Sequence, residues 1–357
     1  MPFRNLLIIL TILLPSLTRA ANIATISPNH HDLLVGSQIF HPWGFNYDRD
    51  YKFRLLEEYW HTEWPTVVAD FQEMKALGAN TVRIHLQLHE FLDTPDHPNQ
   101  KNLAKLHDLL QLATDTGLKL DLTGLCCFRK ELTPPWYTNA DEPERWRIQS
   151  NFWRAIATTC KGSPAVLFYD LINEPLVPTG KCNDFLVGHL ADFYYCQYIT
   201  LDQKSRPRDQ IAAQWIHTMK SAIRQVDPDH LISVGILPNS TTLAPGQSGF
   251  LPATVSRELD LLCVHLYPHK PGKEQDDDLA TLHSFAAAGK PVIIEETFPL
   301  NSGTEGMRQF LHRAHPDSTG VLGFYWGQTI QDLNAHPSIP NAIIADWLTL
   351  FSKGWPS

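Results

Sequence analysis

Val166-Leu167-Phe168-Tyr169-Asp170-Leu171-Ile172-Asn173-Glu174-Pro175 is the stretch that decides the fold. It opens on β-branched and apolar residues suited to a parallel strand buried on both faces. It closes on a polar pair and a proline. Proline has no N–H for a sheet ladder, so the strand is expected to stop with Asn173 and Glu174 at its carboxyl end. A lone glutamate there reads as a solvated ion-pair residue. Lys290-Pro291-Val292-Ile293-Ile294-Glu295-Glu296 repeats the pattern, however, with a second buried strand running into acid. In an α/β barrel that end of the strands is the active face. A carboxyl group held there against apolar walls is expected to have a raised pKa, as a general acid requires.

Outward from these two stretches, the chain alternates strand and helix. Ile39 to Tyr47 reads as a first strand, Thr81 to Leu86 as a second and Leu118 to Leu125 as a third. Leu231 to Leu237, Leu259 to Tyr267 and Val321 to Trp326 supply three more, making eight with the two above. Helical spacing marks a helix opened by Pro65, then Leu103 to Thr116, Phe152 to Thr159, Asp209 to Val226, Glu305 to Ala314 and Ala342 to Phe351. Gly78, Gly117 and Gly289 each sit where a helix must turn into a following strand. There is no glycine-rich phosphate fingerprint after the first strand, so a single-domain (β/α)8 barrel over residues 21–357 is expected, not a doubly wound sheet. A short strand within Ala24 to Leu34 precedes it.

Composition sets the outer bounds. The 357 residues suffice for one large barrel, and 43% hydrophobic with 19% charged is ordinary for a globular chain. A formal net charge of -9 lacks the clustered positive charge that nucleic acid demands. Residues 1–20 read as an export signal: Arg4, the run Leu6 to Leu14, then Thr18-Arg19-Ala20 before the cut. That run is too short to span a bilayer. A secreted or periplasmic monomer is expected. Export makes the six cysteines disulfide candidates. Cys182 and Cys196, in one loop, are the first pair to consider; Cys126, Cys127, Cys160 and Cys263 read as buried thiols.

The chemistry follows from the two acidic strand ends. Counted as above, Glu174 ends the fourth strand and Glu296 the seventh, so the side chains converge across the barrel mouth. Strict alternation would send Glu295 and Glu296 to opposite faces. Two converging carboxyl groups equip a site for glycoside hydrolysis, one protonating the leaving oxygen and the other attacking the anomeric carbon or activating water. Mutual repulsion separates the roles by favouring a proton on one of them. His85 and His89 lack the helix and glutamate placement of a zincin, and no cysteine spacing resembles a zinc site, so neither metal nor cofactor is expected. Gly246-Gln247-Ser248-Gly249 lacks nucleophile-elbow spacing, and Asn239-Ser240-Thr241 is a glycosylation sequon.

In these motifs the chain resembles glycoside hydrolase family 5, the cellulase-like retaining enzymes, over essentially its whole length after residue 20. The resemblance implies that Asn173-Glu174-Pro175 is the acid/base motif, with Asn173 binding the sugar 2-hydroxyl. It implies that Glu296, rather than Glu295, is the nucleophile, hydrogen-bonded by Arg83. It assigns His265 and Tyr267 of His265-Leu266-Tyr267 to the neighbourhood of the acid/base and nucleophile, and Trp326 to stacking under the reacting sugar. One position departs. Asp121-Leu122-Thr123 has Thr123 where the family usually has histidine, and Thr123 reaches less far toward the sugar hydroxyls. The expected substrate is a β-linked glucan, mannan or related glycoconjugate; the alternative is a barrel that binds carbohydrate without turning it over. Trp60, Trp64 and Trp136 are further candidate platforms, and Pro175 to Pro207 a candidate cleft wall.

Overall fold

The computed structural model describes residues 22–237 and 248–354. The export signal, the sequon and Gly246-Gln247 lie outside these residues. Eight parallel strands close into a barrel: β1 (Trp43–Tyr47), β2 (Thr81–Gln87), β3 (Lys119–Cys126), β4 (Val166–Asn173), β5 (Leu231–Ile236), β6 (Leu262–His265), β7 (Val292–Glu296) and β8 (Gly320–Phe324). Each pairs with its neighbour in chain order, and β8 returns to β1 through Val321–Trp43 and Phe324–Asn46. The (β/α)8 barrel expected from the sequence is the fold. The first strand is shorter than its apolar pattern, because Gln38–Phe40 belongs to a separate antiparallel sheet with Ala24–Ile26 and Leu33–Val35. Ala24 and Leu33 of that sheet cluster with Leu167, Leu231, Leu261, Ile293 and Leu322, which plugs the N-terminal end of the barrel with apolar side chains.

The helices form where periodicity and capping agree. α1 (Trp64–Ala76) begins with Pro65 in its first turn, where the missing N–H costs nothing, and buries Val67, Phe71 and Met74 at i, i+4 and i+7. Full burial of each is worth roughly 1.5–3 kcal/mol. Gly78 then takes φ 94°, a left-handed value that a side chain would strain. α2 (Gln100–Thr116) is capped by the Asn99 side chain accepting from the Asn102 N–H and ends on Gly117 at φ 69°. α3 (Glu142–Cys160) starts well before the apolar stretch at Phe152, because Asp141 caps it and its first turns pack through Trp146 and Ile148.

Two irregularities position the site. Between β4 and β5 the register passes from Asp170 opposite Ser233 to Asn173 opposite Gly235, and between β6 and β7 from Val264 opposite Ile294 to His265 opposite Glu296. Each is a bulge with one extra residue, in β4 and in β7 respectively. The segment 175–207 is no plain loop. Pro175–Leu176 pairs in parallel with Phe193–Tyr198, which runs antiparallel to Leu186–Leu190, so this sheet stands beside the barrel mouth.

Candidate active site

β4 ends at Asn173, and the next residue, Glu174, holds φ 45°. A non-glycine residue in the left-handed region costs of order 1–3 kcal/mol, and such residues cluster at functional sites. The Glu174 N–H donates to the Gly235 carbonyl at 3.0 Å, which fixes the turn. The side chain is buried and faces two donors. His265 Nδ1 lies 2.9 Å from Oε1, and the Cys196 thiol donates to Oε2 at 2.9 Å. Cys196 arrives from the Phe193–Tyr198 strand, so the 175–207 sheet does supply a wall of the site.

Across the barrel, the bulge in β7 turns both of its acids inward. Alternation fails here: Glu295 and Glu296 both reach Arg83 and His265, because the extra residue cancels the half-turn that would have separated them. Glu296, 13% exposed at the side chain, is the one nearer solvent; Glu295 is fully buried. Arg83 Nη1 donates to Glu296 Oε2 at 3.0 Å, and the Tyr267 hydroxyl donates to Oε1. His265 Nδ1 also lies 3.3 Å from Glu296 Oε2. Glu174, His265 and Glu296 thus offer polar atoms all within 4.8 Å of one another.

The electrostatics follow from that crowding. Burial alone would push His265 down, but the charge of Glu296 and the hydrogen bonds to Glu174 and Glu295 outweigh it and push His265 up to about 10. Burial pushes Glu174 up, yet the hydrogen bond and charge of His265, with the Cys196 thiol, hold it below the usual carboxylate range. The raised pKa expected for Glu174 from its apolar surroundings is therefore corrected. The proton rests on the imidazole, one hydrogen bond from the acid.

Beneath the two glutamates, Arg83 organises the floor. Its Nη2 donates to Asp170 Oδ2 and Asn173 Oδ1, both at 2.8 Å, its Nη1 also to Asn46 Oδ1 at 2.9 Å, and its Nε to Thr123 Oγ1 at 2.8 Å. Asp170 and Asn173 are three apart, and the bulge in β4 lets both face the same guanidinium. Asn173 Nδ2 gives one hydrogen to the Tyr195 carbonyl at 2.9 Å, leaving its second for a ligand. Trp326, just after β8, is half-buried, and its indole N–H donates to Asp48 Oδ1 at 3.1 Å.

Residues 45–328 match the family model described as cellulase (glycosyl hydrolase family 5). The chain belongs to glycosyl hydrolase family 5. It is 27% identical over 263 residues to mannan endo-1,4-beta-mannosidase A of Podospora anserina, a match covering 66% of this chain and 62% of that relative's length. Among solved structures, an exo-beta-1,4-mannosidase from Opitutaceae bacterium strain TAV5 superposes with TM-score 0.62 at 20% identity, over 92% of this chain and 62% of the other. The endo-1,4-beta-mannanase of Rhizomucor miehei gives TM-score 0.61 at 17% identity, over 93% of this chain and 100% of the other. At these identities the structural likeness speaks for the fold.

In this family 5 barrel the sequence-expected Glu174, Glu296, Arg83, Asn173, His265 and Tyr267 are linked by contacts in one site, with Trp326 at its rim beside Asp48. Thr123 sits lower. It is fully buried, accepting from Arg83 and donating to Asp170 Oδ2 at 2.8 Å, so its hydroxyl is engaged in the floor. Trp60 is also removed from the cleft, since it is fully buried in the core, and Trp64 is covered by the Lys105 ammonium at 3.7 Å. The Cys182–Cys196 pair does not form: Cys196 points at Glu174, while Cys182 donates to the Leu201 carbonyl.

Sequence reading missed Asn46, Asp48, Asp170, Cys196, Gly235 and the inward turn of Glu295. Asn46 is fully buried, and besides accepting from Arg83 it donates to the Glu295 and Gly323 carbonyls at 2.9 and 2.8 Å. A Cβ on Gly235 would stand 2.6 Å from Glu295 Oε2 and 2.8 Å from His265 Nε2, so only glycine leaves room for this cluster. Two sets in the described residues have metal-ligand spacing, Glu174-His265-Glu296 and Asp121-Asp170-Glu295. In each, a protein cation already contacts the carboxylates, His265 in the first and Arg83 in the second.

Proposed function

We propose that this chain is a retaining β-glycosidase whose acid/base is Glu174 and whose nucleophile is Glu296. The observation that carries the reading is that one carboxyl oxygen of each lies within 4.8 Å of the other, with both carboxylates in contact with His265 Nδ1. Retaining pairs lie about 5–5.5 Å apart, whereas inverting pairs need ~6.5–9.5 Å to admit a water. In the first step Glu296 attacks the anomeric carbon and Glu174 passes a proton to the departing oxygen. The proton comes from the neighbouring imidazolium. When Glu296 becomes an ester its negative charge disappears, and with it the largest influence keeping His265 protonated. Proton release is thereby coupled to bond formation. In the second step Glu174 takes a proton from the attacking water and returns it to His265, and Glu296 leaves as a carboxylate again.

Arg83 and Tyr267 hydrogen-bond the nucleophile and hold its orientation. Trp326 gives the reacting sugar an aromatic face, and the free Asn173 amide hydrogen suits a 2-hydroxyl. The substrate we favour is a β-1,4-linked mannan or manno-oligosaccharide, because the curated relative acts on mannan; glucan is the competing backbone. Residues 1–20 support export to a medium or periplasm where such polymers occur.

The test is incubation with a 2-fluoro-mannoside and a 2-fluoro-glucoside, followed by peptide mass mapping. Labelling of Glu296 is expected, with mannosides reacting faster. An unlabelled protein that still binds oligosaccharide would favour the turnover-free alternative. Glu174→Gln and Glu296→Gln should each lower turnover of manno-oligosaccharides by at least about 10²-fold without loss of fold.

A further inference from the structure

The floor contains acids that the sugar chemistry does not use. Of Asp121, Asp170 and Glu295, Asp170 is fully hydrogen-bonded, through Arg83, Thr123 and the Gly235 N–H at 2.7 Å. Asp121 is not. Both of its carboxyl oxygens are buried without a partner, and its nearest cation atom, Arg83 Nε, is 3.7 Å away. Glu295 Oε1 is equally buried and unpartnered, while Oε2 lies 3.2 Å from His265 Nε2 and 3.5 Å from Arg83 Nη2. The three acids offer oxygens within 4.8 Å of one another. An orphaned buried carboxylate is costly, and two facing each other more so, but one proton between them satisfies both.

We infer that Asp121 is an un-ionised carboxylic acid donating to Glu295, and that the Glu295 anion anchors His265 from below while Glu174 and Glu296 hold it from above. Asp121 and Glu295 are then positioning residues for the acid/base. The groups that face this pair agree. Arg83 comes from β2, Asp170 from β4, and Cys263 and His265 from β6, while β5 offers Gly235 and β1 the neutral Asn46. With Asp121 neutral, the floor balances Asp170 and Glu295 against Arg83 and His265. Burial and the Glu295 charge hold Asp121 well above the usual carboxylate range, and Arg83 and His265 bring Glu295 down to about 2 against its burial.

The inference rests on Glu174 and Glu296 being the reacting pair, but its readout is the place of a proton and needs no turnover. In the intact protein labelled with 13C at aspartate carboxyls, one resonance should keep the un-ionised shift at pH 8, where Asp48, Asp70 and Asp170, each at about 6, have ionised. Asp121→Asn should remove that resonance and leave the 15N signature of the His265 imidazolium in place. Glu295→Gln should shift the His265 titration at least tenfold in proton concentration toward neutral pH. Asp121→Leu should lower kcat/KM about tenfold, with Asp121→Asn, a neutral donor of the same shape, restoring most of it. If every aspartate is ionised at pH 8, or a tightly bound metal copurifies and vanishes in Asp121→Asn, the shared proton is wrong. Failure of the fluoro-sugar to label Glu296 would instead reject the sugar chemistry.

Discussion

Cys196 Sγ donates to Glu174 Oε2 at 2.9 Å, so a thiol from outside the barrel steadies a residue held in the left-handed region at a strand end. A hydrogen bond of this kind is worth about 0.5–1.5 kcal/mol. Cys196→Ala should therefore reduce kcat/KM by roughly two- to tenfold. Because the bond helps hold Glu174 below the usual carboxylate range, its loss should raise that value and move the acid limb of the pH–rate profile upward. Cys196→Ser, which keeps a donor, should recover both. Steady-state kinetics from pH 4 to 10 on the three proteins would show whether the limb moves.

Asp48 anchors Trp326 through the indole N–H at 3.1 Å. Trp326→Ala should raise KM for an oligosaccharide about tenfold or more, since aromatic faces contribute to binding. Asp48→Ala should raise KM by less, because the ring remains and only its orientation is lost. The expected split is a KM effect with kcat within about threefold. A collapse of kcat in Asp48→Ala would place Asp48 in the chemistry instead.

Gly235 tests the packing of the floor. Its backbone is not left-handed, so alanine costs no conformational strain; the added carbon simply meets Glu295 Oε2, His265 Nε2 and, at 2.9 Å, Arg83 Nη2. Gly235→Ala should lower kcat at least about 10²-fold through displacement of His265. Melting temperature should fall by only a few degrees, about 1–3 kcal/mol of overpacking. Thermal unfolding beside kinetics separates the two effects.

Glu57 carries a stability consequence. Burial pushes this carboxyl up to about 8, although Oε1 accepts from the Gln87 N–H at 3.0 Å. Its folded value lies above its unfolded one, so the native state binds the extra proton between about pH 4.5 and 8. Stability from this group is present below that window and is lost as pH rises through it, by at most ~1.4 kcal/mol per unit. Glu57→Gln, uncharged at every pH, should flatten that decline. Urea unfolding at pH 5 and pH 8 would show a smaller difference in the variant than in the parent.

Much of the site could be read from short range. Val166 to Pro175 and Lys290 to Glu296 each state a buried strand, its stop and its terminal acid within ten residues, because strand burial and the limits of proline are local properties. The order of strands then placed Glu174 and Glu296 on opposite sides of one mouth. Arg83, His265, Tyr267 and Trp326 were picked out by the family resemblance, each near a strand end. The direction of the Thr123 hydroxyl could not be read, since nothing in Asp121-Leu122-Thr123 tells whether it points up to a ligand or down to Arg83.

By itself, then, the sequence determined the barrel and the acids that close its fourth and seventh strands, because each depends on which residues alternate or interrupt a strand. The tertiary structure decided the rest. A bulge adds one residue to β7 relative to β6, and that offset exists only between strands; it brings Glu295 inward against His265 and demands a glycine on β5. The strand that carries Cys196 lies beside Glu174 only after the 175–207 segment has folded onto the barrel mouth. Proton placement depends on distances among charges far apart in the chain, and only folding sets those distances.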